Sequence, residues 1–255
     1  MRLARWAALC TAVPLLAAAG PASAQLGTIR LDNWFYYVDS YFDSATVQYR
    51  PRVFVPFGLT GGWTFVQRAD LPLVYTDALG PANPDGDWKF RGGDFMIEEI
   101  LNTPEVAPNT RLFGSVRLVF PTGGEFPFGA DQWQVAPAVG LIYSRPDLWR
   151  GTTFFPLARY FFGFDTQSPG VTEIRRLDLF PTVTFGLAPA WALHLYSENP
   201  ISYNEQTHKW FVPIDALVTH RVSKSFEYGV GAAVAIVDDD RAYRWLVQAR
   251  LTFYF

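Results

Sequence analysis

The sequence predicts an all-β protein, an antiparallel transmembrane up-and-down β-barrel of about 12 strands, from three observations. The C-terminal segment alternates strictly between apolar and polar residues. Aromatic residues make up 17 % of the chain, with 9 Trp, 12 Tyr and 22 Phe. Beyond the first two dozen residues there is no run of about 18 apolar residues able to cross a bilayer as a helix. A closed barrel is the other structure that satisfies its own backbone in lipid.

The chain opens with a leader pattern. Arg2 and Arg5 form a positive region, an apolar stretch over 6–20 follows with Thr11 and Pro14 inside it, and Ala22-Ser23-Ala24 is a small-x-small cleavage signal. A signal peptide is therefore expected over 1–24 and a barrel over 25–255. A retained anchor is the competing reading, disfavoured because the stretch is shorter than the roughly 20 residues of a spanning helix. Leu9 argues against lipidation of Cys10, since a small residue belongs there. Cys10 is the single cysteine and leaves with the leader, so no disulfide or thiolate metal site is expected. The chain has 21 basic and 24 acidic residues, a balance that argues against nucleic acid. The expected location is the cell outer membrane.

The strands follow from period-two alternation between turn signals. The first, over 29–38 (IRLDNWFYYV), is demanded by parity, because single-chain bacterial barrels have even strand numbers. An aromatic helix over 32–42 is its alternative. Strands are then expected over 46–56, 62–73, 93–101, 110–120, 131–144, 152–163, 175–186, 190–198 and 208–220. In the next, Phe226, Tyr228, Val230, Ala232, Val234 and Ile236 make one row, and Glu227, Gly229, Gly231, Ala233 and Ala235 the other. In the last, Tyr243, Trp245, Val247, Ala249, Leu251, Phe253 and Phe255 form the lipid row, against Arg244, Gln248, Arg250 and Thr252. Pro51, Pro137, Pro156, Pro181 and Pro213 fall within strands and are expected to face outward, weakening the pairing locally.

Placing the last strand's end in the periplasm puts the links over 75–89, 121–130, 164–172, 199–207 and 237–240 outside. Those over 57–61, 102–109, 145–150, 187–189 and 222–224 lie inside. The outer set is mostly longer, as such barrels require.

Four stretches carry a family resemblance: VQYRPRVFVPFGLTGGWTFVQRADLPLVY, GGDFMIEEI, VFPTGGEFPFGADQWQVAPAVG and the closing WLVQARLTFYF. Residues 46–255 resemble the outer-membrane proteins grouped as transporters of the MetA pathway of phenol degradation. The resemblance implies a barrel with a transport role for small, often aromatic or apolar, compounds.

The lumenal row predicted by alternation holds Arg50, Arg52, Arg68, Arg111, Arg117, Arg159, Arg176, Arg244 and Arg250. It also holds Asp70, Asp94, Glu98, Asp178, Glu198, Asp215, Glu227 and Gln248. Charges at membrane depth face a polar interior, because exposing one to lipid at the midplane costs about 2–4 kcal/mol. Opposed basic and acidic walls set up a transverse field that discriminates solutes by charge. The alternative is a salt-bridged plug, since a barrel this small is easily filled. The small residues Gly229, Gly231, Ala233 and Ala235 leave either open space or room for other side chains.

The remaining motifs are weaker. Residues 121–129 (PTGGEFPFG) lack the Lys-Ser/Thr and helix of a phosphate loop and read as a hairpin loop, or as one folding inward over the mouth. His194, His208 and His220 are dispersed, without the serine–histidine spacing of barrel lipid hydrolases, so no catalytic or metal site is expected. Asp238-Asp239-Asp240 reads as a solvated turn, with cation collection as its alternative. The expected function is a passive channel or transporter for small molecules, with a sealed structural barrel as the alternative and a lipid hydrolase behind it. No cofactor is expected. Expected partners are outer-membrane lipid and lipopolysaccharide, the barrel-assembly machinery through the C-terminal strand, and a small-molecule solute.

Overall fold

The computed structural model describes residues 25–255 apart from Phe42 and Arg241. The expected leader, 1–24, lies outside the described residues. The fold is a closed antiparallel barrel of twelve strands, several of them interrupted. These are β1 (Gln25–Leu26 and Arg30–Asp39), β2 (Ala45–Gly58), β3 (Thr64–Asp70 and Leu73–Thr76), β4 (Lys89–Gly92 and Phe95–Asn102), β5 (Thr110–Phe120) and β6 (Gln132–Arg145). They continue as β7 (Thr152–Thr166), β8 (Arg175–Ala188), β9 (Trp191–Leu195 and Ile201–Asn204), β10 (Lys209–Arg221), β11 (Phe226–Asp238) and β12 (Trp245–Tyr254). Each strand pairs with its neighbours in sequence, and β12 closes on β1, from Trp245↔Asp39 to Tyr254↔Arg30. Closure removes the sheet edges. The segment over 29–38 is thus a strand, and the parity argument holds.

Both termini lie at one end, where Ile29 and Phe255 exchange backbone hydrogen bonds of 3.0 and 3.2 Å. This is called the terminal end. Its links are tight, and the longer links over 77–88, 121–131 and 167–174 cluster at the opposite, far end.

The outward rows are mainly apolar, as the alternation requires, with Gln67 and Glu99 a hydrogen-bonded polar pair on the outer face of β3 and β4. Val247, Leu251 and Phe253 on β12 and Val230, Val234 and Ile236 on β11 are exposed. Rings collect in two girdles. Tyr37–Trp245, Phe95–Phe120 and Tyr203–Trp210 stand toward the far end; Phe57–Phe65, Trp149–Phe185 and Phe226–Phe253 toward the terminal end. Amphipathic rings settle at both interfaces of a bilayer.

Four expectations need correction. Pro213 faces inward and is fully buried, whereas Pro137, Pro156 and Pro181 face outward. A bulge between Val212 and Pro213 accommodates its missing N–H. Tyr243 leaves the lipid row, because the ladder starts at Trp245, and its ring packs inside against Phe211 at 4.8 Å. The link expected over 199–207 contains the strand Ile201–Asn204, which leaves 205–208 as the turn. Finally, β9 does not run straight to Glu198. It stops at Leu195, Tyr196 adopts φ +52°, and the chain leaves the ladder until Ile201.

Candidate functional site: the charged lumen

The strand register builds the site. Arg68 on β3 sits opposite Glu98 on β4, which sits opposite Arg117 on β5. Directly opposed side chains stand about 4.5–5.5 Å apart at Cβ, so the three charges form a row on the inner wall. Glu98 is 3 % exposed. It accepts hydrogen bonds from Arg117 Nη2 at 2.6 Å and Ser115 Oγ at 2.8 Å, lies 3.3 Å from Arg68 Nη1, and also bonds Arg159 from β7. Arg52 on β2 sits opposite Asp70 on β3, with Nε to Oδ2 at 2.9 Å. Arg68 donates twice to the same carboxylate, both at 2.7 Å.

Glu198 joins this wall to the other side of the barrel. It is carried by the segment that leaves β9 and takes both Nη groups of Arg52, at 2.7 and 2.9 Å. Arg50 Nη2 lies 3.7 Å away and Tyr36 Oη donates to Glu198 at 3.3 Å. The segment is anchored by Asp215 on β10. Asp215 accepts from the backbone N–H groups of Glu198 (3.2 Å) and Asn199 (3.3 Å), from Asn199 Nδ2 (3.0 Å) and from Gln248 Nε2 (2.8 Å). All its hydrogen bonds here come from neutral donors.

The result is a belt across the lumen in which Arg50, Arg52, Arg68, Arg117 and Arg159 meet Asp70, Glu98 and Glu198. Guanidiniums outnumber carboxylates within it. Aromatic faces back the cations: Arg52 and Arg250 stand 5.6 and 5.3 Å over Trp34, and Arg50 4.7 Å over Tyr36.

Other expected site residues lie outside the belt. Arg176 and Ser202 bond Asp178, at 2.9 and 2.7 Å. Arg250 bonds Glu227, and Arg221 approaches Glu227 at 3.5 Å. A Cβ at Gly231 would stand 2.3 Å from Ala216 O and 3.1 Å from Gln248 Nε2, and one at Gly229 would stand 2.9 Å from Thr219 Cγ2. The two glycines on β11 therefore make room for the backbone of β10 and for neighbouring side chains.

Three residues read as lumenal are placed elsewhere. Arg244 binds Asp39 at the far rim, at 2.7 Å, and is half exposed. Arg111 is exposed at the terminal end of β5. Asp94 holds a loop: its oxygens accept from Gly123 N (3.0 Å) and Ala130 N (2.8 Å), clamping the turn over 121–131. Burial, with the charge of Asp131 adding to it, raises the Asp94 carboxyl above its ordinary value against these two hydrogen bonds. At strand ends the alternation no longer fixes direction. The loop over 121–129 is thus an ordered hairpin loop clamped from β4, and Ala82 N donates to Phe126 O at 3.1 Å.

Sequence reasoning also missed inward apolar residues. Trp34, Tyr36, Phe211, Leu217, Tyr243 and Leu246 make one buried cluster, and Val119, Ala136 and Phe161 another. At the terminal end the lumen opens into a cup of about 390 Å³, lined by Phe54, Pro56, Val66, Ile100, Phe155 and Tyr254, with Arg30 beside them.

His194 is held between Thr184 Oγ1 at 2.8 Å and Thr219 Oγ1 at 3.0 Å. His208 Nδ1 lies 3.0 Å from Tyr203 Oη. The His220 ring stacks on Trp191 at 4.3 Å. Among the described residues, no three His, Cys, Asp or Glu side chains are grouped to hold a metal ion. In the acidic turn, Asp240 accepts from Thr207 and Asn204, both at 3.3 Å, and Asp238 accepts from Tyr41.

Fold and girdled wall together define the class: an outer-membrane-type β-barrel with a charged interior. Among solved structures the chain is similar to an outer membrane channel from Pseudomonas putida F1, at 13 % identity and a TM-score of 0.68, covering 93 % of this chain and 97 % of that one. It is similar to the NanC porin at 13 % identity and a TM-score of 0.55, covering 88 % and 98 %. It is also similar to outer membrane phospholipase A from Escherichia coli, at 10 % identity and a TM-score of 0.50, covering 92 % and 93 %. At these identities the likeness establishes the barrel fold, which channels and an enzyme share. No protein-family model matches the sequence, and no curated protein does.

Proposed function

We propose that the chain is a passive channel of a Gram-negative outer membrane, admitting small molecules through an arginine-rich constriction. The observation that carries this reading is the belt around Glu98 and Glu198, with the apolar cup beneath it. A guanidinium excess at a narrow point attracts anions and repels cations, and the cup receives the apolar part of a solute. The four stretches that resemble the MetA-type transporters favour aromatic or apolar compounds. Lipid and lipopolysaccharide would surround the girdled wall. The strand ending on Phe255 would address the chain to the barrel-assembly machinery, after cleavage behind Ala24. The role is non-catalytic, a reading supported by histidines engaged with Thr, Tyr and Trp side chains.

The sealed barrel is the second reading, favoured by the paired Arg52–Glu198 contact across the lumen. Reconstitution of the purified, folded barrel in planar bilayers separates the two. A channel gives discrete conductance with an anion preference, and Arg117→Glu, which reverses one belt charge, lowers or inverts that preference. Intact, folded protein that shows neither conductance nor solute flux would identify the sealed barrel.

A further inference from the structure

A second cavity lies outside the charged lumen, at the far end between the loops over 121–131 and 167–174. It measures about 450 Å³. Its walls are mainly apolar, from Phe126, Pro127, Val171 and Ile174. Two acidic side chains, Glu125 and Asp131, line it together with no basic one. Asp131 is 5 % exposed, and its Oδ2 is buried without a hydrogen-bond partner. Among the described residues eleven other buried side-chain polar atoms also lack a partner, but Asp131 Oδ2 is the one that belongs to a residue lining this cavity.

The cavity is a built one. Asp131 is held at φ +54° by Asp131 N donating to Gly124 O at 3.0 Å and Gln167 N donating to Asp131 O at 2.8 Å. Left-handed backbone away from glycine persists where the surroundings enforce it. Gln132 staples the two loops together. Its Nε2 donates to Ala130 O at 3.3 Å and Thr172 O at 3.0 Å, and its Oε1 accepts from Ile174 N at 2.8 Å. Asp94 clamps the same loop from beneath.

We propose that this mouth cavity binds a small organic ammonium ion, its charged nitrogen at the Asp131 carboxylate and its apolar body against Phe126, Pro127, Val171 and Ile174. Each part of the cavity selects for one part of that ligand. No basic side chain lines the pocket, and a small turn of the Asp131 side chain brings its covered Oδ2 to the cavity, where an ammonium N–H completes it with a charge-assisted hydrogen bond. The exposed Phe126 ring lines the same cavity and supplies an aromatic wall for the cation. Anions meet Glu125 and Asp131 and are rejected. A neutral isostere loses the ion pair and keeps only apolar contact. The cavity is separate from the belt, so occupancy does not depend on whether the lumen conducts.

The test is calorimetric titration of the folded barrel in detergent with benzylammonium, benzyl alcohol and benzoate. Saturable binding of benzylammonium is expected, weakened at least tenfold by Asp131→Asn and by raised salt, with no saturable binding of benzoate. Phe126→Ala, checked for an unchanged β-sheet circular dichroism spectrum, should weaken benzylammonium severalfold. Equal binding of the amine and the alcohol, undiminished affinity in both variants, or no saturation by benzylammonium would each overturn the proposal.

Gly163 gives an independent check on the staple. A Cβ there would stand 1.8 Å from Gln132 Oε1 and 2.5 Å from Ile174 N. Gly163→Ala should displace the Gln132 side chain by overpacking. It should also expose the loops over 121–131 and 167–174 to protease. Mass spectrometry of a limited digest locates the cuts; protection equal to the parent would contradict the staple.

Discussion

Glu98→Ala is expected to be among the most destabilising single changes in this barrel. The side chain is 3 % exposed and is shared by Arg68, Arg117 and Arg159. Removing it leaves three guanidiniums facing one another inside the lumen. Breaking a buried ion pair costs about 3–5 kcal/mol, because the remaining charge keeps its desolvation without its partner. Arg68 retains Asp70, so Arg117 and Arg159 carry most of the loss. Urea unfolding of the folded barrel in micelles should show a lower midpoint with an unchanged slope, which marks lost stability rather than altered compactness. Two further variants separate charge from volume. Glu98→Gln keeps the shape and should lose nearly as much. Adding Arg117→Met to Glu98→Ala should restore part of the loss, because one unpaired cation is gone. A Glu98→Ala barrel as stable as the parent would mean that lumenal water solvates the arginines fully, and that the belt is not a structural unit.

The row that holds Glu98 was legible in the sequence for a simple reason. Strand period is two, so once the last strand is fixed most charges at membrane depth fall to one parity; Glu99, paired with Gln67 on the outer face, is an exception. Arg52, Arg68, Asp70, Arg117, Arg159 and Asp178 all fall on that inner row in the strand registers. The reasoning broke where its assumption did. At strand ends the bilayer no longer forces a direction, and Arg244 turns to Asp39 while Asp94 clamps a loop. Apolar residues escaped for the opposite reason. Lipid disfavours charge outside, but nothing forbids rings inside, so Trp34 and Leu217 lie buried in the lumen without a sequence signal. Both loop-mouth stretches singled out by resemblance, GGD and PTGGEFPFG, turn out to be one unit, since the carboxylate of the first binds the backbone of the second.

The break in β9 was half legible. Asn199-Pro200 is a turn signal at the start of the expected outer link over 199–207. What the dipeptide does not convey is that the segment bends inward, because the cause lies on other strands: the Asp215 carboxylate on β10, set beside it by the pairing of Leu195 with Ala216. The neutral donors around Asp215 fix the backbone of Glu198 and Asn199, and the backbone in turn delivers the Glu198 carboxylate to Arg52.

This chain of support makes Asp215 a positioning residue for the belt. Asp215→Ala should act on conduction almost as strongly as Glu198→Ala, though it touches no arginine of the belt. Glu198→Ala removes one carboxylate directly and leaves Arg52 with Asp70 and Arg50 with the Tyr36 hydroxyl, so it should raise conductance and strengthen anion preference together. Asp215→Ala frees the segment over 196–200, and Glu198 then leaves Arg52 by motion rather than by deletion. The two variants differ in noise: a tethered segment that comes and goes should make the Asp215→Ala current flicker, while the Glu198→Ala current stays steady. Asp215→Asn retains an acceptor oxygen for the backbone N–H groups and should behave nearly as the parent, which a purely electrostatic role for Asp215 would not allow. In the double variant the Glu198→Ala change should mask Asp215→Ala, because the segment then has no charge to deliver. Additive effects of the two on selectivity would show that Asp215 acts on permeating ions by its own field, and would detach it from the positioning of Glu198.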